Sequence, residues 1–118
     1  MKNLITIIIM LVAVGCGKSL TEEEKKVVGS YGTKKGGDTW KLVFLENGIG
    51  KDYKNGKKSK FEIKWKLVNG EIHADKNGFI LVLRINKDGN LTEIATIPKD
   101  RERIDTPKED QFTFKKIK

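Results

Sequence analysis

Charged and apolar side chains alternate without a break through Lys60-Phe61-Glu62-Ile63-Lys64-Trp65-Lys66-Leu67, and the run closes at Asn69-Gly70. A period of two is that of a half-buried β-strand, and Asn-Gly readily takes the positive φ angles of a tight hairpin. The same grammar recurs along the chain. Asn-Gly stands at 47–48, 55–56, 69–70 and 77–78, Asp-Gly at 88–89, and Gly36-Gly37 is a sixth candidate turn. The runs between them predict strands at about 28–34, 39–45, 48–54, 58–68, 71–75, 79–86, 91–97 and 111–117. Eight consecutive strands with short turns predict an all-β fold, a small antiparallel up-and-down meander closed or nearly closed into a barrel. No exact repeat underlies the pattern, which argues against a propeller or solenoid.

Alternation also assigns faces. Trp40, Leu42 and Phe44 share one side of their run, and Phe61, Ile63, Trp65 and Leu67 share one side of theirs, opposite Lys60, Glu62, Lys64 and Lys66. Ile72 and Ala74, then Phe79, Leu81, Leu83 and Ile85, continue the inner face, and Phe112 and Phe114 close it. An eight-stranded barrel has an interior that side chains just fill, or that holds one small ligand. Phe79-Ile80-Leu81-Val82-Leu83 is apolar on both faces, so its outer side requires cover. Two covers are open: the N-terminal helix or the 98–110 loop, or else a partner surface. That loop carries four positive and five negative charges, the mark of a solvated, self-paired connection, although loops of this length often serve recognition.

The pattern changes before residue 20. Met1-Lys2-Asn3 is a short positive stretch, and Leu4 to Val14 is an apolar run of 11 residues broken only by Thr6. A membrane-spanning helix requires roughly 20 apolar residues, so this run has the length of a signal-peptide core. Ile7-Ile8-Ile9-Met10-Leu11-Val12 has no polar face and does not suit a surface helix of a soluble domain. Ala13-Val14-Gly15-Cys16 follows, and Cys16 is the only cysteine, which rules out an internal disulfide. Further on, Ser19-Leu20-Thr21-Glu22 and Thr21-Glu22-Glu23-Glu24 fit the capping box, predicting a short helix over about 20–27 that stops near Gly29.

Residues 1–16 resemble a bacterial lipoprotein signal ending in a lipobox, with Gly15 before the cysteine that receives diacylglycerol. Ala13 and Val14 stand where Leu and Ala or Ser are commonest. The resemblance implies lipidation at Cys16, with palmitate-type acyl chains as the membrane anchor, and an extracytoplasmic place in the cell envelope. Gly17, rather than Asp, after the cysteine implies the outer membrane in an organism that has two. The expected organisation is a signal peptide over 1–15, the lipidated cysteine and tether over 16–19, and a single β-barrel domain over 20–118.

Of 118 residues, 34% are charged, and the formal net charge is +8. The surplus is concentrated: residues 34–66 hold ten lysines against Asp38, Glu46, Asp52 and Glu62. Interleaved with Trp40, Tyr53 and Trp65, these resemble a nucleic-acid surface, but Trp40 and Trp65 lie opposite the lysines and an export signal leads away from cytoplasmic nucleic acid. No nucleic-acid role is expected. Lys58, Lys60, Lys64 and Lys66 are instead candidates for contact with an anionic envelope component, or serve simply as a solubilising face.

Catalytic chemistry finds little footing. His73 is the only histidine and alternates outward beside Glu71 and Asp75, short of the three or four convergent ligands a metal requires. Ser19, Ser30 and Ser59 lie on no nucleophile elbow, and there is no phosphate loop or dinucleotide fingerprint. No catalytic residue, metal or cofactor is assigned, and the expectation is a non-enzymatic protein.

The short helix leading into Gly29-Ser30-Tyr31, followed by the eight-strand meander, loosely resembles small bacterial lipocalin-like proteins. Tyr31 takes the aromatic place of their Gly-x-Trp pattern. The resemblance implies a barrel that binds or shields a small apolar molecule, with Tyr31, Trp40, Phe61 and Trp65 as the candidate ligand-binding residues. The alternative is a structural or interaction lipoprotein with a filled core. It would act through its lysine face on an anionic envelope component, or by inhibiting a protein partner.

Overall fold

A computed structural model describes residues 20–117, and the expected signal peptide, Cys16 and the tether lie outside them. The chain opens with a short helix, α1 (Glu22–Val27). Thr21 caps it by a reciprocal pair of bonds. The Thr21 hydroxyl accepts from the Glu24 N–H at 3.1 Å, and the Glu24 carboxylate accepts from the Thr21 N–H at 2.9 Å. Glutamates in the first turn and lysines in the last complement the helix dipole.

Ten strands follow: β1 (Gly29–Lys35), β2 (Asp38–Phe44), β3 (Ile49–Lys54), β4 (Lys57–Lys58), β5 (Ile63–Val68), β6 (Glu71–Lys76), β7 (Phe79–Ile85), β8 (Leu91–Ile97), β9 (Ile104–Asp105) and β10 (Thr113–Lys116). Eight of them form a closed antiparallel barrel in the order β1-β2-β3-β5-β6-β7-β8-β10, with β10 returning to β1 at Tyr31↔Lys116 and Gly32↔Lys115. The two-residue strands β4 and β9 add to the outer lengths of β3 and β8. Closure leaves no long unpaired edge among the described strands.

Turn chemistry sets the register. Asn55-Gly56, Asn69-Gly70 and Asn77-Gly78 all have positive φ at both residues, as two-residue hairpins twisted with their strands require. At Asn47-Gly48 and Asp88-Gly89 only the glycine is left-handed. There the Asn47 and Asp88 side chains accept backbone N–H groups of Ile49 and Asn90, each at 3.0 Å, and the glycine closes a bulge. Gly50 answers a different demand. A Cβ on it would lie 3.0 Å from the Val43 carbonyl oxygen and 3.3 Å from Ile63, where β2, β3 and β5 crowd together.

One predicted element divides. The run at 58–68 is not a single strand: β4 folds back on β3 through Asn55-Gly56, residues 59–62 turn a corner, and β5 starts at Ile63. The cause is that β3 pairs with β5 only at Ile49↔Lys64 and Gly50↔Ile63, so its second half takes β4 as partner instead. Strand parity holds only while the chain is straight. Beyond the corner it fails, and Phe61, expected inside, lies 44% exposed on the surface.

The outer side of β7 is covered by the chain itself. β9 pairs with β8, and from there Arg103 crosses β7 to grip Glu71 on β6, its two guanidinium nitrogens 2.9 and 3.4 Å from the carboxylate oxygens. Beneath this strap Val82 and Ala95 are fully buried.

Candidate ligand-binding cavity

The two ends of the barrel differ. At the α1 end, Val27 enters the core, and Tyr31, Phe44 and Trp65 stack edge-to-face with centroids 5.9 and 5.8 Å apart. The Tyr31 hydroxyl donates to the Val27 carbonyl at 2.7 Å and ties helix to barrel, while burial pushes the phenol up to about 12. The Trp65 Nε1–H donates to the Leu45 carbonyl at 3.0 Å. These groups seal that end.

The other end holds a cavity of about 580 Å³, within the range of small-molecule pockets. Its walls come from inward positions of successive strands: Trp40 and Leu42 of β2, Ile63 of β5, Ala74 of β6, and Phe79 and Leu81 of β7, with Phe112 and Phe114 opposite. Ala74 leaves the space that a larger side chain would fill. The wall also parts here, because β3 turns from β5 to β4 after Gly50.

Charge lies at the mouth. Asp52 of β3 and Lys76 of β6 both occupy inward positions and meet across the parting of the wall, with Lys76 Nζ 2.8 Å from Asp52 Oδ2. The other carboxylate oxygen, Oδ1, is buried and has no hydrogen-bond partner among the described residues. Lys35 Nζ sits 4.1 Å from the Phe112 ring centroid, and Lys54 Nζ lies 5.1 Å from that of Trp40 and 3.8 Å from Asp38. An apolar chamber rimmed by cations over aromatic faces suits a ligand with an apolar body.

Of the four residues singled out from the sequence for ligand binding, only Trp40 lines this cavity. Tyr31 and Trp65 belong to the sealed end, and Phe61 lies outside, beside Lys64 and Asn77 in a shallow depression. The lining residues not singled out for ligand binding are Asp52, Lys76 and, from the expected inner face, Phe79 and Phe112. Their signal was present: Lys76 shares the parity of Ile72 and Ala74, so a charge falls on the inner face at a strand end.

Lys58, Lys60, Lys64 and Lys66 are all exposed. Lys64 and Lys66 leave the outer face of β5, cross-strand from Asp75 and His73, and Lys60 Nζ lies 5.9 Å from the exposed Phe61 ring. Among the described residues none of these four lysines is ion-paired.

His73 is largely buried, with Nε2 3.9 Å from Glu71 Oε1 and no hydrogen bond. Desolvation holds its pKa below the ordinary imidazole value, and the hydrogen bond from Arg103 lowers that of Glu71. His73 therefore packs on the outer face of β6 beside the Arg103 clamp. Among the described residues no three His, Cys, Asp or Glu side chains converge as a metal site would require. No protein-family model, curated protein or solved structure matches this chain.

Proposed function

We propose that the protein is a membrane-anchored, non-enzymatic lipoprotein whose barrel holds a small apolar ligand. The observation that carries this reading is the aromatic-lined cavity of about 580 Å³ at the end of the barrel away from α1. Its lining is mostly apolar with cation-bearing edges, and its one carboxylate, Asp52, is engaged by Lys76 at 2.8 Å, a composition that suits binding. Cys16 precedes α1 by few residues, so an anchor there attaches at the sealed end and leaves the mouth facing away from the bilayer. Ligand can then enter without the barrel leaving its membrane.

The test is titration of the folded domain, residues 20–118, with the uncharged fluorophore N-phenyl-1-naphthylamine. Saturable enhancement with energy transfer from Trp40, lost in a Trp40→Ala protein that remains folded by circular dichroism, is the expected result. Absence of saturable binding to the folded domain overturns the reading. The anchor is tested separately: Cys16→Ser should move the protein out of the detergent phase, and unchanged partitioning would count against acylation.

A second reading has its own observation, the four exposed lysines at 58, 60, 64 and 66, unpaired among the described residues, beside the exposed Phe61 ring. They suit contact with an anionic envelope component, with inhibition of a protein partner as a variant. Sedimentation with phosphatidylglycerol vesicles should then weaken steeply as salt is added, and salt-independent binding would exclude the electrostatic route.

A further inference from the structure

The cavity is apolar in its depth and charged only at its mouth, and the charges there are not balanced. Lys35 and Lys76 face the opening with Asp52, and the flanking Lys54 has Asp38 within 3.8 Å, whereas Lys41 leaves the outer face of β2 with its Nζ 5.4 Å from the Tyr53 ring centroid. Three lysines thus face two aspartates. Both acidic groups already hold cations: Asp52 holds Lys76 at 2.8 Å through Oδ2, with Oδ1 buried and unpartnered among the described residues, and Asp38 holds Lys54 at 3.8 Å and the Asn55 side-chain amide at 3.0 Å. Lys35 has no carboxylate partner among the described residues, and its ammonium is held over the Phe112 ring.

Lys76 is unusual in its placement. It occupies an inward position of β6, in line with Ile72 and Ala74, where the rest of the inner face is apolar. An inward lysine on an otherwise apolar face bears a desolvation cost that an aliphatic residue would avoid. Asp52, itself inward from β3, offsets that cost with one oxygen. The pair holds an ammonium at the point where an apolar chamber meets water, and three N–H donors on Lys76 exceed the single carboxylate oxygen that engages it.

We infer that the cavity selects a single-chain amphiphile whose head is anionic, with the chain running between Leu42, Ala74 and Leu81 and the head at the mouth between Lys76 and Lys35. This rests on the ligand-binding reading above and adds the charge of the ligand to it. Asp52 acts as a positioning residue, aiming Lys76 without touching the apolar chain. A cationic head is disfavoured, because it would have to displace Lys76 from Asp52 and sit among the remaining lysines. An uncharged head enters the chamber but leaves the lysine donors to water.

The experiment compares three probes of equal chain length on the folded domain, all kept monomeric: dodecanoate, dodecanol and dodecyltrimethylammonium, each read by displacement of N-phenyl-1-naphthylamine. Dodecanoate should bind more tightly than dodecanol by about tenfold or more, as a charge-assisted hydrogen bond at a partly desolvated site implies. Lys76→Met should remove that preference, and Lys76→Arg should restore most of it. Because Lys76→Met strands Asp52, the double variant Lys76→Met with Asp52→Leu guards against misfolding, and Lys35→Met should lower the preference by itself. Equal affinity for dodecanoate and dodecanol in the wild-type protein, or tighter binding of the cationic probe, overturns the inference while the ligand-binding reading stands. Failure of all three probes to displace the fluorophore overturns both.

Discussion

The sealed and open ends of this barrel are built from the same strands and the same inward parity, yet one is solid and the other hollow. At the sealed end the inward positions carry Tyr31, Phe44, Trp65 and Ile72, and a helix delivers Val27 onto them. At the open end they carry Ala74, Asp52 and Lys76, and no element among the described residues caps the mouth. A barrel of this size has little spare interior, so filling or emptying it takes only a few side chains. Stability is thus concentrated where the aromatic stack lies, and recognition where the stack stops. The division is that of a cup with a heavy base.

Cutting one aromatic at each end tests the contrast most severely. Phe44→Ala, which removes a fully buried ring, should destabilise by about 3–5 kcal/mol in urea unfolding, whereas Phe79→Ala, at a ring 46% exposed, should cost less than about 1 kcal/mol. Equal costs would mean the two ends are packed alike. Filling the open end comes next. Ala74→Leu should abolish most binding of an apolar probe, a loss of more than about tenfold, with stability changed by less than about 1 kcal/mol. A larger destabilisation would show that the chamber is collapsed in solution.

Loosening the seal is expected to matter less. Tyr31→Phe deletes the hydroxyl that donates to Val27 and should lower stability by about 1 kcal/mol, with protection of α1 amides from hydrogen exchange reduced first. Ligand binding at the far end should be unchanged; a parallel loss would couple the two ends. The smallest effect is expected outside both. Phe61→Ser should shift stability by no more than about 0.5 kcal/mol and leave the cavity intact, since the ring lies on the surface beyond the corner at 59–62.

That corner shows where sequence patterning stops being informative. Alternation from Lys60 to Leu67 is unbroken, and the residues from Ile63 onward do obey it, with Ile63 and Trp65 buried and Lys64 and Lys66 exposed. Phe61 breaks it because β3 has two claimants along its length, β5 at Gly50 and β4 at Tyr53, and the chain must cross between them. Which half of β3 each strand takes is a matter of long-range pairing, invisible to a local period. The lining of the cavity was misassigned for a related reason. Trp40 was singled out because it is aromatic, but Tyr31 and Trp65 were too, and only three-dimensional position separates a ring that seals from a ring that lines.

Read by itself, the amino-acid sequence determined the strand count of the barrel, its antiparallel order, the Asn-Gly hairpins and the capped helix at 22–27, because these follow from local dihedral preferences and a period of two. The parity that Lys76 shares with Ile72 and Ala74 is readable in the sequence, but nothing in the local pattern names a partner for it. Tertiary structure alone decided that Asp52 is that partner, 24 residues away in the chain, and that Arg103 would strap the outer face of β7. It alone decided which end of the barrel would be plugged and which left open. Those outcomes depend on how eight strands shear past one another on closure, and so on contacts between residues far apart in the chain.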